Sequence, residues 1–182
     1  MIAALPSHKF LDIAPLSGCF NDTSASYKFY WFISILEAVE RGFHTIDKQY
    51  LFASMAANAW YTTNYFHLSF GKSDIIQRAV KLIMEIENIT IDEKKDRILE
   101  KLVSSQNSLT LRSLKHFDNE VPHRFLGPWF KGKKGDKNAV YEFSQSFGND
   151  CLYALHKNQV IINPKWINYL RENSGILKAF CL

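Results

Sequence analysis

Cysteine is scarce in this chain and poorly placed for any structural task. Cys19, Cys151 and Cys181 are the three in 182 residues, and no two form a Cys-x-x-Cys pair. An odd, dispersed set argues against a disulfide framework and against a cysteine zinc site, and a reducing cytoplasm is the expected setting. The first ten residues lack the basic start and long apolar run of a secretion signal. No apolar run reaches the roughly 20 residues that span a bilayer; the longest candidate, within 23–42, is interrupted by Lys28, Ser34 and Glu37. The histidines, His8, His44, His67, His116, His123 and His156, include no i, i+4 pair and none beside a cysteine, so no metal-ligand spacing emerges. Gly132-Lys133-Lys134-Gly135 has the wrong spacing for a phosphate-binding loop. No Gly-x-Ser-x-Gly elbow occurs, and the acidic residues are scattered. No catalytic residue, metal ligand or cofactor is therefore assigned. Internal repeats and low-complexity segments are also missing.

What the chain does have is aromatic and apolar mass. Aromatics make up 14% and hydrophobic residues 47% of the sequence, a composition opposed to disorder and sufficient for one well-filled domain. The formal charge is +4, unevenly spread. Residues 1–110 carry 11 Lys and Arg against 12 Asp and Glu, whereas residues 111–182 carry 11 against 6. A positive region favours polyanionic partners.

The organising stretch is Thr23 to Gly42. Thr23 or Ser24 can cap its start, and Gly42 can close its end in a left-handed conformation. Between them Tyr27, Phe29, Tyr30, Trp31, Phe32, Ile33, Ile35, Leu36 and Val39 cover almost every face; a helix apolar all round is one that other elements surround. Before it, residues 1–22 read as an extended arm that packs Phe10, Leu11, Ile13 and Leu16 on the core. After it, a helix is expected from Asp47 to Trp60, then an irregular aromatic connection to Phe70. A third helix should start at a Ser73 cap, with Ile75, Ile76, Ala79, Val80, Ile83 and Met84 inward. Thr90 and Glu93 match a capping box for a helix from Lys94 to Val103 with Ile98, Leu99, Leu102 and Val103 inward. A shorter helical piece spans Leu109 to His116.

Residues 121–130, with two prolines and a glycine, read as an ordered non-helical loop, followed by a basic tip at 131–138. Apolar runs on either side of His156-Lys157-Asn158-Gln159 predict a β-hairpin at 152–162. Asn163-Pro164 opens a helix with Trp166, Ile167 and Leu170 inward, ending near Asn173. The last residues, 174–182, continue an apolar helical pattern; either they dock in a groove or the polypeptide continues in its natural form, and continuation is the expectation. The predicted fold is mainly α: a compact multi-helix domain of about six helices around a central apolar helix, with a small hairpin near the C-terminus. It divides into an arm (1–22), a helical core (23–116), and a basic loop, hairpin and C-terminal helices (117–182).

The candidate nucleic-acid contacts are Arg112, Lys115, Arg124, Lys131, Lys133, Lys134 and Lys137, set against Asp118, Glu120 and Asp136. Cationic side chains neutralise phosphates and release counterions. His123, Phe125, Trp129 and Phe130 are interleaved with them; exposed, such rings stack on bases, and buried, they anchor a solvated lysine loop. A helix–turn–helix followed by a hairpin can also be drawn through 94–116 and 152–162, although its turn lacks the usual glycine.

Several phrases together resemble the N-terminal portion of bacterial HNH endonuclease domain-containing proteins: residues 23–32 (TSASYKFYWF), Asn58-Ala59-Trp60-Tyr61 with Leu68-Ser69-Phe70-Gly71-Lys72, residues 121–126 (VPHRFL), and Ile162-Asn163-Pro164-Lys165-Trp166. The likeness covers about Phe10 to Leu182. In such proteins the nuclease module lies further toward the C-terminus and uses histidines and an asparagine around a divalent metal. No segment here supplies that module, so the resemblance transfers no catalytic residue, and the metal is expected only there. It implies a mainly helical, non-catalytic region that helps a nuclease hold DNA, with DNA and the nuclease module of the same polypeptide as partners and no membrane. The alternative is a protein-interaction or regulatory helical domain without nucleic-acid contact.

Overall fold

The computed structural model describes residues 5–21, 26–64, 75–132 and 136–181. The Thr23 or Ser24 cap, the aromatic connection at 65–70, the Ser73 cap and the tip lysines Lys133 and Lys134 lie outside the described residues. In chain order the elements are α1 (Ala14–Gly18), α2 (Tyr27–Glu40), β1 (Thr45–Asp47), α3 (Lys48–Asn58), α4 (Trp60–Asn64), α5 (Ile75–Glu87), α6 (Lys95–Ser104) and α7 (Ser108–Lys115). They continue with α8 (Val121–Phe125), α9 (Lys137–Gln145), β2 (Tyr153–Leu155), β3 (Gln159–Ile162), α10 (Pro164–Glu172) and α11 (Ser174–Cys181). The fold is mainly helical with one small antiparallel sheet. Among the described residues no helix is long and apolar enough to cross a membrane.

The central helix is where its composition places it. Every residue from Tyr30 to Leu36 is buried, together with Ala38 and Val39, because α3, α8, α10 and α11 all pack on α2. Its end is closed by a Schellman arrangement: Phe43 N donates to Ala38 O at 2.9 Å and Gly42 N to Val39 O at 3.0 Å, with Gly42 at φ +85°. The one acid facing α3, Glu37, is satisfied by Lys95 and by Asn58 Nδ2 at 3.0 Å. Glu40 pins the last helix through Lys178 Nζ and Ser174 Oγ, both at 2.5 Å. So α11 docks along α2, and Phe20, Phe32 and Phe180 meet there at centroid distances of 5.5 and 5.3 Å from Phe20.

The expected hairpin is β2–β3, and β1 joins it to give the strand order β1-β3-β2. Ile46 pairs with Val160 across the ladder; a three-residue strand with one buried side chain carries too little alternation to be read from sequence. Asp47 caps α3 by accepting from Gln49 N at 2.7 Å. Asn163 caps α10 by accepting from Lys165 N at 3.1 Å, as expected for Asn before Pro.

Five expectations need correction. The arm is not wholly extended, since Pro15 sits in the first turn of α1, and Phe10 is 80% exposed instead of packed. The Thr90–Glu93 capping box does not form. Glu93 N bonds to Thr90 O at 3.3 Å, that carbonyl also accepts Trp60 Nε1 at 3.2 Å, and α6 starts later, at Lys95. Val103 points outward at the end of that helix. Residues 121–130 are helical, not loop: Pro122 lies in the first turn of α8 and Pro128 in that of a 3₁₀ turn over Gly127–Trp129. Proline is tolerated at these positions because the missing N–H has no intrahelical partner there. The basic tip likewise ends early, because Asp136 accepts from Ala139 N at 3.0 Å and starts α9 at Lys137.

Candidate nucleic-acid interface

Helices α5 and α7 lie side by side. Each spends one apolar stripe on the core: Ile76, Ala79, Val80 and Ile83 from α5, Thr110 and Leu114 from α7. Helical periodicity then turns Arg78 and Leu82 outward from α5 and Leu109, Arg112 and His116 outward from α7 and the turn that follows it. Between the two helices runs a groove of about 610 Å³ lined by Ile75, Arg78, Ala79, Leu82, Arg112, Ser113 and His116.

Among the described residues no carboxylate lies within ion-pairing distance of Arg78, Arg112 or His116, whereas Arg41, Lys48, Lys95, Arg124, Lys165 and Lys178 are each paired. Guanidinium groups stay charged at any physiological pH and present forked donors suited to phosphate oxygens. The groove is a ready site for an extended polyanion.

The five described candidates, Arg112, Lys115, Arg124, Lys131 and Lys137, do not form one patch. Arg112 lies in the groove. Lys115 faces the other side of α7, onto a separate cleft with Lys48 and Asp118. Arg124 pairs with Glu120 at 2.8 Å one turn earlier on the chain, so its charge is partly compensated. Lys131 borders an aromatic hollow of about 510 Å³ with Pro15, Pro128 and Phe143. Lys137 donates to Asp118 O at 3.1 Å and lies 5.9 Å from the Tyr141 ring centroid. The interleaved rings are anchors: Trp129 and Phe130 are 4% and 5% exposed, and Phe125 and His123 are buried. Their burial closes off base stacking on them.

Arg78 and His116 were not among the expected contacts, and neither was Lys48. For Arg78 the available signal was its outward position on an amphipathic α5; only the pairing of α5 with α7 joins it to Arg112. Lys48 is buried and hydrogen-bonded to Asp118 Oδ1 at 2.8 Å and to the Tyr141 hydroxyl. Burial pushes the Tyr141 phenol above its ordinary value, and the Asp118 carboxylate pushes it further, so it stays a neutral donor or acceptor. Among the described residues no group of three His, Cys, Asp or Glu side chains is arranged to hold a metal ion.

Comparison with protein families, curated proteins and solved structures finds no match to this chain. The site is therefore read from its own chemistry.

Proposed function

We propose that this chain is a non-catalytic helical module that holds DNA through its phosphate backbone, acting in the cytoplasm as the N-terminal region of a metal-dependent HNH-type endonuclease. The observation that carries the DNA part is the cluster of Arg78, Arg112 and His116 in one groove, with no ion-pair partner among the described residues. The nuclease association rests on the sequence phrases alone, and the mainly helical fold is in keeping with them. Phosphate contacts give affinity without sequence identity, which suits a module that assists a separate catalytic unit.

A second reading has one observation in its favour. Leu82, 44% exposed, lines the same groove, and Leu109, 50% exposed, lies one turn before Arg112 on α7, as they would if the groove received an amphipathic segment of another protein.

A salt titration separates the two. Duplex DNA affinity should fall steeply with salt, and the slope of log K against log salt should flatten by roughly 0.9 for each phosphate contact removed in an Arg78→Ala/Arg112→Ala variant. Leu82→Ser/Leu109→Ser should leave that slope unchanged. Equal, weak binding by wild type and the arginine variant would remove the DNA role from this groove.

A further inference from the structure

Helix α7 is a wall shared by two concavities. Arg112, Ser113 and His116 face the arginine groove; Leu111, Leu114 and Lys115 face a cleft of about 340 Å³ closed by Asp47, whose carboxylate is engaged in capping α3, by Gln49 and Phe52 of α3, by Asp118, and by Lys157 and Asn158 of the β2–β3 turn. That volume is within the roughly 300–1,000 Å³ of small-molecule sites.

The cleft is built around a fixed carboxylate. Lys48 Nζ spends its donors on Asp118 Oδ1 at 2.8 Å, on the Tyr141 hydroxyl and on Lys157 O at 3.4 Å. It has none left for a ligand, so its part is to hold Asp118 in place. Both of the hydrogen bonds that Asp118 accepts on its carboxylate, from Lys48 and from Tyr141 at 3.5 Å, fall on Oδ1. The Asp118 side chain is about one-fifth exposed and lines the cleft, and its Oδ2 has no hydrogen bond among the described residues. At the mouth, Lys115 and Lys157 are exposed, with no ion-pair partner among the described residues. The wall between mouth and carboxylate is apolar: Phe52, Leu111 and Leu114.

A matching ligand is anionic at one end, flat and apolar in the middle, and carries an N–H edge at the other. A nucleotide has this form. Its phosphate meets the two ammoniums, its base lies along the apolar wall, and a base amine reaches Asp118, in the way a carboxylate accepts from the cytosine amine. We infer that the cleft receives one unpaired nucleotide of a nucleic-acid strand, its phosphate at Lys115 and Lys157 and its base along Phe52, Leu111 and Leu114. The choice of ligand class rests on the DNA-holding reading, and extruding a base from a duplex costs a few kcal/mol, which favours single-stranded or mismatched sites.

The test is an amide-resolved NMR titration of the full chain with dCMP, ribose 5-phosphate and inorganic phosphate. Saturable shifts at Gln49, Leu111, Lys115, Asp118 and Asn158 are expected with dCMP, and affinity about tenfold weaker for the two base-free anions. Lys115→Ala/Lys157→Ala should lower dCMP affinity by about tenfold or more; Asp118→Asn should weaken dCMP but not ribose 5-phosphate. If Asp118→Asn fails to fold, the lysine variant and the base-free ligands still decide. Equal affinity for all three ligands, or no saturable shift in the cleft, overturns the inference. If duplex binding is absent but dCMP fills the cleft, the groove reading fails and the nucleotide site stands. If duplex binds and dCMP moves no cleft amide, the cleft alone falls.

Discussion

At the scale of single residues, Trp31 shows what an apolar run does and does not reveal. Its burial follows from neighbours that are apolar on every side. The partner of its indole does not: Nε1 donates to the Tyr153 hydroxyl at 2.9 Å, and that hydroxyl donates to Pro122 O at 2.7 Å. This relay ties α2, β2 and α8 across more than a hundred residues of sequence. Trp31→Ala should cost roughly 3–5 kcal/mol, a large part of a typical stability of roughly 5–15 kcal/mol. Tyr153→Phe keeps the ring but strands the indole N–H and the Pro122 carbonyl, which should cost about 1–3 kcal/mol. Urea denaturation of both variants checks the order. A Tyr153→Phe protein as stable as wild type would show that the relay is geometrically present but energetically idle.

At the scale of elements, helix ends separate the legible from the illegible. Gly42, Asp47 and Asn163 do what their chemistry dictates, because a cap acts within three or four residues of itself. Thr90 and Glu93 carry an equally good local signature and fail, because Glu93 N donates to the Thr90 carbonyl instead of its hydroxyl and the Glu93 carboxylate accepts from Lys94 N. The prolines of 121–130 were misread as breakers when they are starters. Gly42 offers a clean measurement, since a Cβ there would meet nothing within 4 Å. Gly42→Ala should therefore report the left-handed backbone strain alone, a loss of roughly 1–2 kcal/mol, with Gly42→Asn losing less. A shift in the urea midpoint without a change in slope is the expected signature. An unaffected midpoint would mean that the end of α2 relaxes freely.

At the scale of the whole molecule, charge and burial decide how stability depends on pH. His123 is buried and its Nδ1 has no hydrogen-bond partner. Burial first, then the charges of Lys137 and Arg124, hold its pKa below the ordinary 6.5, against the opposite pull of Glu120 and Asp118. The unfolded chain then takes up a proton before the folded one does. Stability present above about pH 6.5 should be lost as pH falls from there toward the lowered folded value. Melting temperatures of wild type and His123→Gln between pH 7.5 and pH 5 test this; parallel curves would assign the loss to other groups.

Local pattern by itself determined the mainly helical class, the central helix, the hairpin, the docking faces of α5 and α10, and the Gly42 and Asn163 caps, since each depends on side chains spaced within a turn or a strand pair. Tertiary structure alone decided the features on which the proposed function rests. Arg78 and Arg112 are 34 residues apart in sequence and share a groove only because α5 lies against α7. Lys48, Asp118 and Tyr141 come from three separate segments and meet because β1 pairs with β3, placing the start of α3 under the β2–β3 turn. Trp129 and Phe130 lost their surface role to the core for the same reason: whether a ring is a platform or an anchor depends on what folds over it, and that is set by packing between distant elements.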